Sequence, residues 1–238
     1  MLLKAQYDRI NRSMVDEIRR FIDDPAFARR MAHHPFHGNI GDWIDLAVGR
    51  RVLELGVGPG RYAALLQTLG FDVVGVDPIH FETWKPIRSA GKSEFFSGVK
   101  AEKLPFQAGE FDHVVCMAAL HYFDNPRIAL KEARRVLKPG GRLIVRTANR
   151  RNLYTLSTGR PLDPAARNYY TVEEMTSLLN DEGFEIHRQF SWGFWPPFLH
   201  MQWWYAVNVL PLGLLTLLAD LTPPSIRHNH VTFARRTE

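Results

Sequence analysis

The sequence predicts an α/β fold: a doubly wound, mostly parallel sheet with helices on both faces. Three observations carry that prediction. Short apolar runs of strand length alternate with amphipathic segments of helical period through the middle of the chain. A glycine-rich turn, Gly56, Gly58 and Gly60, separates the first such run from the first such helix. The chain's 238 residues, 45% hydrophobic and 23% charged, suffice for one globular domain with a full core.

The elements follow in order. RVLEL (51–55) reads as the first strand, RYAALLQTLG (61–70) as a helix ended by Gly70, and FDVVGVD (71–77) as the second strand. SEFFSGV (93–99) is the third strand and FDHVVCM (111–117) the fourth. PRIALKEARRVL (126–137) is a helix with Ile128, Leu130, Ala133, Val136 and Leu137 near one face. It stops before Pro139, which disfavours helix at the residue preceding it. GRLIVRT (141–147) is the fifth strand, VEEMTSLLNDEGF (172–184) a helix stopped by Gly183, FEIHRQF (184–190) the sixth strand and VTFAR (231–235) the seventh.

Two segments fall outside the alternation. Residues 1–45 read as an amphipathic helical cap, with Ile10, Met14, Ile18, Phe21 and Ile22 at helical spacing. Residues 191–228 interrupt the run between the last two strands. The reading is thus a single domain: cap 1–45, core 46–190, hydrophobic insertion 191–228, final strand and tail 229–238.

The single Cys116 lies in the apolar run VVCMAAL, so the chain has no disulfide framework, and it reads as a buried spectator thiol. The start, MLLKAQYDRI, has no apolar region of signal-peptide length. Both observations lead to the expectation of a cytoplasmic protein. The net charge of +5 is uneven: between Arg127 and Arg160 ten lysines and arginines face one acid, Glu132. Such a block suits phosphate, in RNA or lipid headgroups, but the favoured reading is a solvated helix face with scattered loop arginines.

A strand that turns through glycines into a helix presents free backbone N–H groups and admits close approach of a ligand. A dinucleotide fingerprint, G-x-G-x-x-G, would place its third glycine at position 61, which is Arg61; the spacing here is G-x-G-x-G. Glu54 stands two residues ahead of Gly56, where a carboxylate would repel a pyrophosphate and favour a cationic ligand. The second strand ends at Asp77, where a carboxylate can accept both hydroxyls of a ribose.

These residues resemble the class I S-adenosylmethionine-dependent methyltransferases, in particular the small-molecule branch that includes quinone-biosynthesis enzymes. The resemblance covers roughly residues 50–190 and rests on VLELGVGPGRY, VVGVDP, AEKLPF, FDHVVCMAALHYF, VLKPGGRLIV and YTVEEMTSLLNDEGF, in that order. It implies a Rossmann-like, seven-stranded sheet with the last strand antiparallel, and S-adenosylmethionine as cofactor, with S-adenosylhomocysteine as product. It also implies that Glu54, Gly56, Gly58 and Gly60 line the methionine and ribose, and that Asp77, followed by Pro78, holds the ribose. By the same resemblance Ala101 and Glu102 lie beside the adenine, and the backbone of Met117 and Ala118 lies beneath the sulfonium. Tyr7 and Asp8 would close over the cofactor, and Arg61 would pair with its carboxylate. One departure stands out: where the family often has Gly-Asp-Ala, this chain has Val99-Lys100-Ala101, which removes an adenine-contacting acid and implies weaker cofactor binding.

Methyl transfer from a sulfonium relies on alignment, worth roughly 7–11 kcal/mol for well-oriented reactants. A base is needed only where the acceptor loses a proton, and the candidate is His121 in AALHYF, with Tyr122 second. His33, His34 and His37 match no zinc spacing, so no metal is expected. The insertion holds four of the chain's six tryptophans and the charge-free stretch 205–219, too short and too interrupted by Pro211 and Gly213 to span a bilayer. Three readings stand for it: a lid over a hydrophobic acceptor, a segment lying in a membrane interface, or core or dimer contact.

The expectation is therefore a methyltransferase acting on a lipophilic small molecule such as a quinone or phenol precursor, a polyketide-like product or a lipid. The protein would be monomeric or homodimeric, with peripheral membrane contact as one option. The alternatives are an RNA methyltransferase, though no appended RNA-binding module is present and WPPF (195–198) lacks the Asn or Asp of a base-amine motif, and a non-catalytic binding protein.

Overall fold

In the computed structural model, residues 14–161, 163–193 and 212–237 are described. Seven strands form one sheet: β1 (Arg51–Leu55), β2 (Asp72–Asp77), β3 (Glu94–Ser97), β4 (Phe111–Met117), β5 (Leu137–Ala148), β6 (Phe184–Trp192) and β7 (Asn229–Arg236). Their order is β3-β2-β1-β4-β5-β7-β6. Strands β1 to β5 pair in parallel, while β7 runs antiparallel to both of its neighbours, β5 and β6. The expected Rossmann-like sheet with an antiparallel last strand is what the chain forms.

The helices are α1 (14–23), α2 (Pro25–Ala32), α3 (Arg61–Thr68), α4 (Trp84–Ala90), α5 (Pro126–Val136), α6 (Leu153–Thr158), α7 (Val172–Asp181) and α8 (Leu212–Leu221). Because side chains alternate across a strand, neighbours along the central strands enter two different cores. Val52, Val115 and Ile144 join one face with Phe21, Leu65 and Trp84 from α1, α3 and α4. Leu53, Val114, Cys116 and Val145 join the other with Leu130, Ala133 and Leu178 from α5 and α7. A strand buried on both faces reads as a mostly apolar run, and the apolar residues of β1 and β4 divide between the two cores accordingly.

Several expectations change. Of 1–45, the described residues 14–45 are helical only in part: after α2 they run through short 3-10 turns, because Pro35 starts one and Gly38 and Asn39 take left-handed φ values of +70° and +49°. β5 begins at Leu137 rather than at 141. Leu137 pairs with Phe111, then Lys138 to Gly141 loop out before His113 meets Arg142, with Gly140 at φ +70°. Two helices, α4 and α6, were not expected. α4 carries Pro86 in its first turn, where proline is tolerated, and buries Trp84 and Ile87. α6 is short, capped by Asn152 and ended by Gly159 in the left-handed region.

The basic block is dispersed by the fold. Arg127 bridges Asp181 and Glu182 at 2.9 and 3.0 Å, Lys138 meets Asp112 at 2.5 Å, and Arg150 meets Glu174 at 2.5 Å, so acids distant in sequence neutralise much of it. Cys116 is buried among apolar groups, and its thiol is pushed up to about 12 by burial. Among the described residues no helix is long and apolar enough to cross a membrane.

Candidate active site

The loop between β1 and α3 sits at the carboxyl edge of the parallel strands, where doubly wound sheets open to ligands. It is held from both sides. The amides of Gly56 and Val57 donate to Val76 O at 2.9 and 3.1 Å, and Trp84 Nε1 donates to Gly58 O at 2.7 Å. All three glycines have positive φ, +68°, +52° and +90°. Their surroundings differ. A Cβ on Gly56 would lie 2.5 Å from Ala119 Cβ, and one on Gly60 would lie 2.6 Å from Ile87 Cδ1. A Cβ on Gly58 would meet nothing within 4 Å. Gly56 and Gly60 therefore serve packing, whereas Gly58 borders open space.

Asp77 ends β2 directly beneath this turn and is 9% exposed. One carboxylate oxygen accepts from Gly58 N and the other from Ile79 N, each at 2.9 Å. A carboxylate has about four acceptor positions, so two remain. Pro78 is exposed, and beside it Ile79 is 62% exposed, an apolar platform that sequence reading passed over. Its only signal is an isoleucine in a turn following a strand-end acid.

Glu54 is 1% exposed, and its Oε2 has no hydrogen-bond partner among the described residues. Burial, reinforced by the charge of Asp77, raises its pKa well above the ordinary range, against the opposing pull of the Ala63 amide and Arg61. A buried carboxyl with one oxygen unpartnered is what a cationic group would complete. Together with the space over Gly58 and the free positions on Asp77, it fits the ammonium, methionyl chain and ribose of S-adenosylmethionine.

The remaining expected residues are placed unevenly. Ala101 is buried at the same edge, but Glu102 accepts from Asn125 N at 3.0 Å and so is engaged with the start of α5. Lys100 pairs with Asp124 at 2.7 Å. Arg61 does not stand free for a ligand carboxylate: its Nε lies 3.1 Å from Glu17 of α1. Met117 packs inward, its Cε near Gly38, while Ala118 takes a left-handed φ of +60° and donates its amide to Arg146 O at 2.8 Å. Tyr7 and Asp8 lie outside the described residues.

His121 is 5% exposed in the 3-10 turn after β4, with Nδ1 3.3 Å from Thr147 Oγ1. Burial lowers its pKa to about 4, so the ring is neutral at physiological pH and, away from any bound acceptor, a weak base. Tyr122 is corrected as a candidate base: its hydroxyl donates to Asp163, and burial together with that acid drives its pKa up, so the phenol keeps its proton. The three early histidines diverge. His33 pairs with Asp42 at 2.6 Å, His34 accepts from Phe36 N, and His37 is buried 3.2 Å from Glu17.

Comparison with known proteins bears on the family and the fold. Residues 53–145 match the family described as a methyltransferase domain. An uncharacterised methyltransferase of Mycobacterium bovis is 41% identical over 102 residues, covering 43% of this chain and 41% of its own. A ubiquinone biosynthesis O-methyltransferase of Dechloromonas aromatica is 33% identical over 120 residues, covering 46% of this chain and 50% of its own. The chain thus spans about half the length of the curated relatives it matches. Among solved structures, the 1,6-didemethyltoxoflavin-N1-methyltransferase of Burkholderia thailandensis, with bound 1,6-didemethyltoxoflavin and S-adenosylhomocysteine, shares the fold with a TM-score of 0.57. It is 21% identical and covers 99% of this chain and 89% of its own.

Proposed function

We infer that this chain, a class I S-adenosylmethionine-dependent methyltransferase by the domain it carries, transfers a methyl group to a lipophilic small molecule. The acceptor class is a quinone or phenol precursor, a polyketide-like product or a lipid. The observation that carries the reading is the loop over β1: a glycine bordering open space, an anchored acid at the end of β2 and a buried carboxyl at Glu54 with one oxygen unpartnered.

When bound, S-adenosylmethionine supplies an activated methyl on a sulfonium, transferred by in-line displacement. The chain's own part is to bind, orient and exclude water. Glu54 receives the ammonium and Asp77 the ribose hydroxyls, while Ile79 and Ala101 flank the adenine. The left-handed turn at Ala118 presents backbone at the point where β4 ends. His121, neutral and steadied by Thr147, takes the acceptor's proton where one must leave. Buried walls make each of these contacts stronger than it would be in water.

Apolar acceptor chemistry is supported by the aromatic content of 191–228 and by α8, whose Leu217 and Leu221 are 54% and 73% exposed. The quinone-biosynthesis relative points the same way. The insertion would act as a lid over the acceptor, or rest in a membrane interface that delivers it. The test is methyl-labelled S-adenosylmethionine with the purified protein and a host extract, split into organic, aqueous and RNA fractions. Label in the organic phase is expected. Label in RNA would replace the lipophilic acceptor with an RNA one, and label in the aqueous phase would exclude a lipophilic acceptor.

A further inference from the structure

Resting on the methyltransferase reading, we propose that Arg146 is a specificity-determining residue that binds an ionised oxygen of the acceptor (a phenolate, enolate or carboxylate), with the Trp192 indole N–H as a second donor. Arg146 is 7% exposed at the end of β5. Its Nη1 donates to Phe36 O at 2.7 Å and to the Tyr62 hydroxyl at 2.8 Å, both neutral acceptors. Among the described residues no carboxylate lies within ion-pair distance of it.

The surroundings leave a positive charge over. Among the described residues, Glu17 is a carboxylate that feels the charge of Arg146, and Arg61 engages it at 3.1 Å. Burial works to raise its pKa, but Arg61, His37 and Arg146 outweigh it and hold the carboxyl below its ordinary range. His37 and His121 are neutral for want of solvation. Glu17 is taken by Arg61, which leaves Arg146 buried without an ion-pair partner among the described residues, and burying an unpaired charge is costly unless something pairs with it.

The place is right for the acceptor. Arg146 is the register partner of Met117, the strand end over which the methyl would be delivered, and its carbonyl holds the Ala118 amide. Across the sheet, Arg146, Val231 and Phe190 are lateral neighbours on one face. Trp192, two residues on from Phe190, therefore faces the same side. Trp192 is 7% exposed, its Nε1 has no partner among the described residues, and its ring lies 5.6 Å from that of Phe36, the residue whose carbonyl Arg146 grips. A buried cation and a buried, unpartnered donor flank the same aromatic residue. That arrangement suits a flat acceptor bearing an anionic oxygen.

The test measures binding of 2-naphthoate and its uncharged analogue 2-naphthylmethanol by calorimetry, with the protein saturated in S-adenosylhomocysteine so that the cofactor's own carboxylate is already placed. The wild type should bind the anion at least tenfold more tightly than the alcohol. Arg146→Met should lose that preference while keeping its affinity for S-adenosylhomocysteine, and Arg146→Lys should restore part of it. Equal binding of the two probes by the wild type overturns the proposal without any variant. A tenfold or greater loss of S-adenosylhomocysteine affinity in Arg146→Met overturns it differently, by assigning the cation to the cofactor. A wild type that binds no S-adenosylhomocysteine refutes the underlying methyltransferase reading instead.

Discussion

Substituting alanine separately at Gly58 and Gly56 distinguishes ligand-bearing from structural glycine within one loop. Both residues have left-handed φ, +52° and +68°. An alanine there costs roughly 1–2 kcal/mol, partly offset by about 0.4–1 kcal/mol from the stiffer unfolded chain. At Gly58 the new methyl meets nothing within 4 Å, so the net loss should stop near 1 kcal/mol, about 2–4 °C in Tm for a chain of this size. At Gly56 the methyl comes to 2.5 Å from Ala119 Cβ, which adds an overpacking cost of about 1–3 kcal/mol. Binding should rank the other way relative to stability. Gly58→Ala fills the space the cofactor would occupy and should lose S-adenosylmethionine affinity by a hundredfold or more, roughly 3 kcal/mol or more. The assays are thermal denaturation and titration calorimetry on both variants. Normal affinity in Gly58→Ala would show that the loop does not cradle the ligand. A Tm loss as large as that of Gly56→Ala would show that the space at Gly58 is not open.

Other perturbations test other parts of the site. Burial lowers the pKa of His37 and of His121 to about 4 from the unfolded value near 6.5. Protonation therefore favours the unfolded chain: stability is full above about pH 6.5 and falls as pH drops toward 4, by about 3 kcal/mol per histidine. A Tm that stays level from pH 7 to 4.5 would contradict this. His121→Ala should cut kcat by roughly 10²–10⁴ while leaving cofactor affinity intact, and unchanged turnover would remove it as the base. Because burial raises the Glu54 pKa, pairing with a cationic cofactor should pull it back down. Calorimetry in buffers of different ionisation enthalpy should then report proton release and tighter binding at higher pH; no buffer dependence would refute the pairing. Ala118→Gly relieves a left-handed alanine on an exposed position and should raise Tm by about 2–4 °C. A lower Tm would mean that the methyl group makes a contact worth more than the strain.

Much of this architecture can be read from local chemistry. β1 and β4 are short, mostly apolar runs, and α5 and α7 carry clear periodicity with proline, glycine or capping signals at their ends. The glycine loop and Asp77 are legible because their backbone needs are local. What escaped reading depends on distant partners. α4 holds a proline and only two buried residues, so no periodic pattern announces it. Arg61 reads as a ligand contact until Glu17, forty-four residues earlier, is folded against it. Tyr122 reads as a base until Asp163 takes its proton as a hydrogen bond. Arg146 looks like one more member of a basic block, and only the sheet shows that it is the buried one.

The two ends of the insertion meet. Trp192 pairs with Asn229 across β6 and β7, and His228 N donates to Gly193 O at 2.9 Å, so the chain leaves the sheet and re-enters it at one point. Lengthening or shortening such an excursion changes its closure cost slowly, about 0.6 kcal/mol per doubling. Evolution can therefore exchange what lies between these anchors almost as a cassette, leaving the strands and the glycine loop undisturbed. New acceptors would be acquired by replacing a cover on a finished scaffold, and the same junction is where an engineer would graft one.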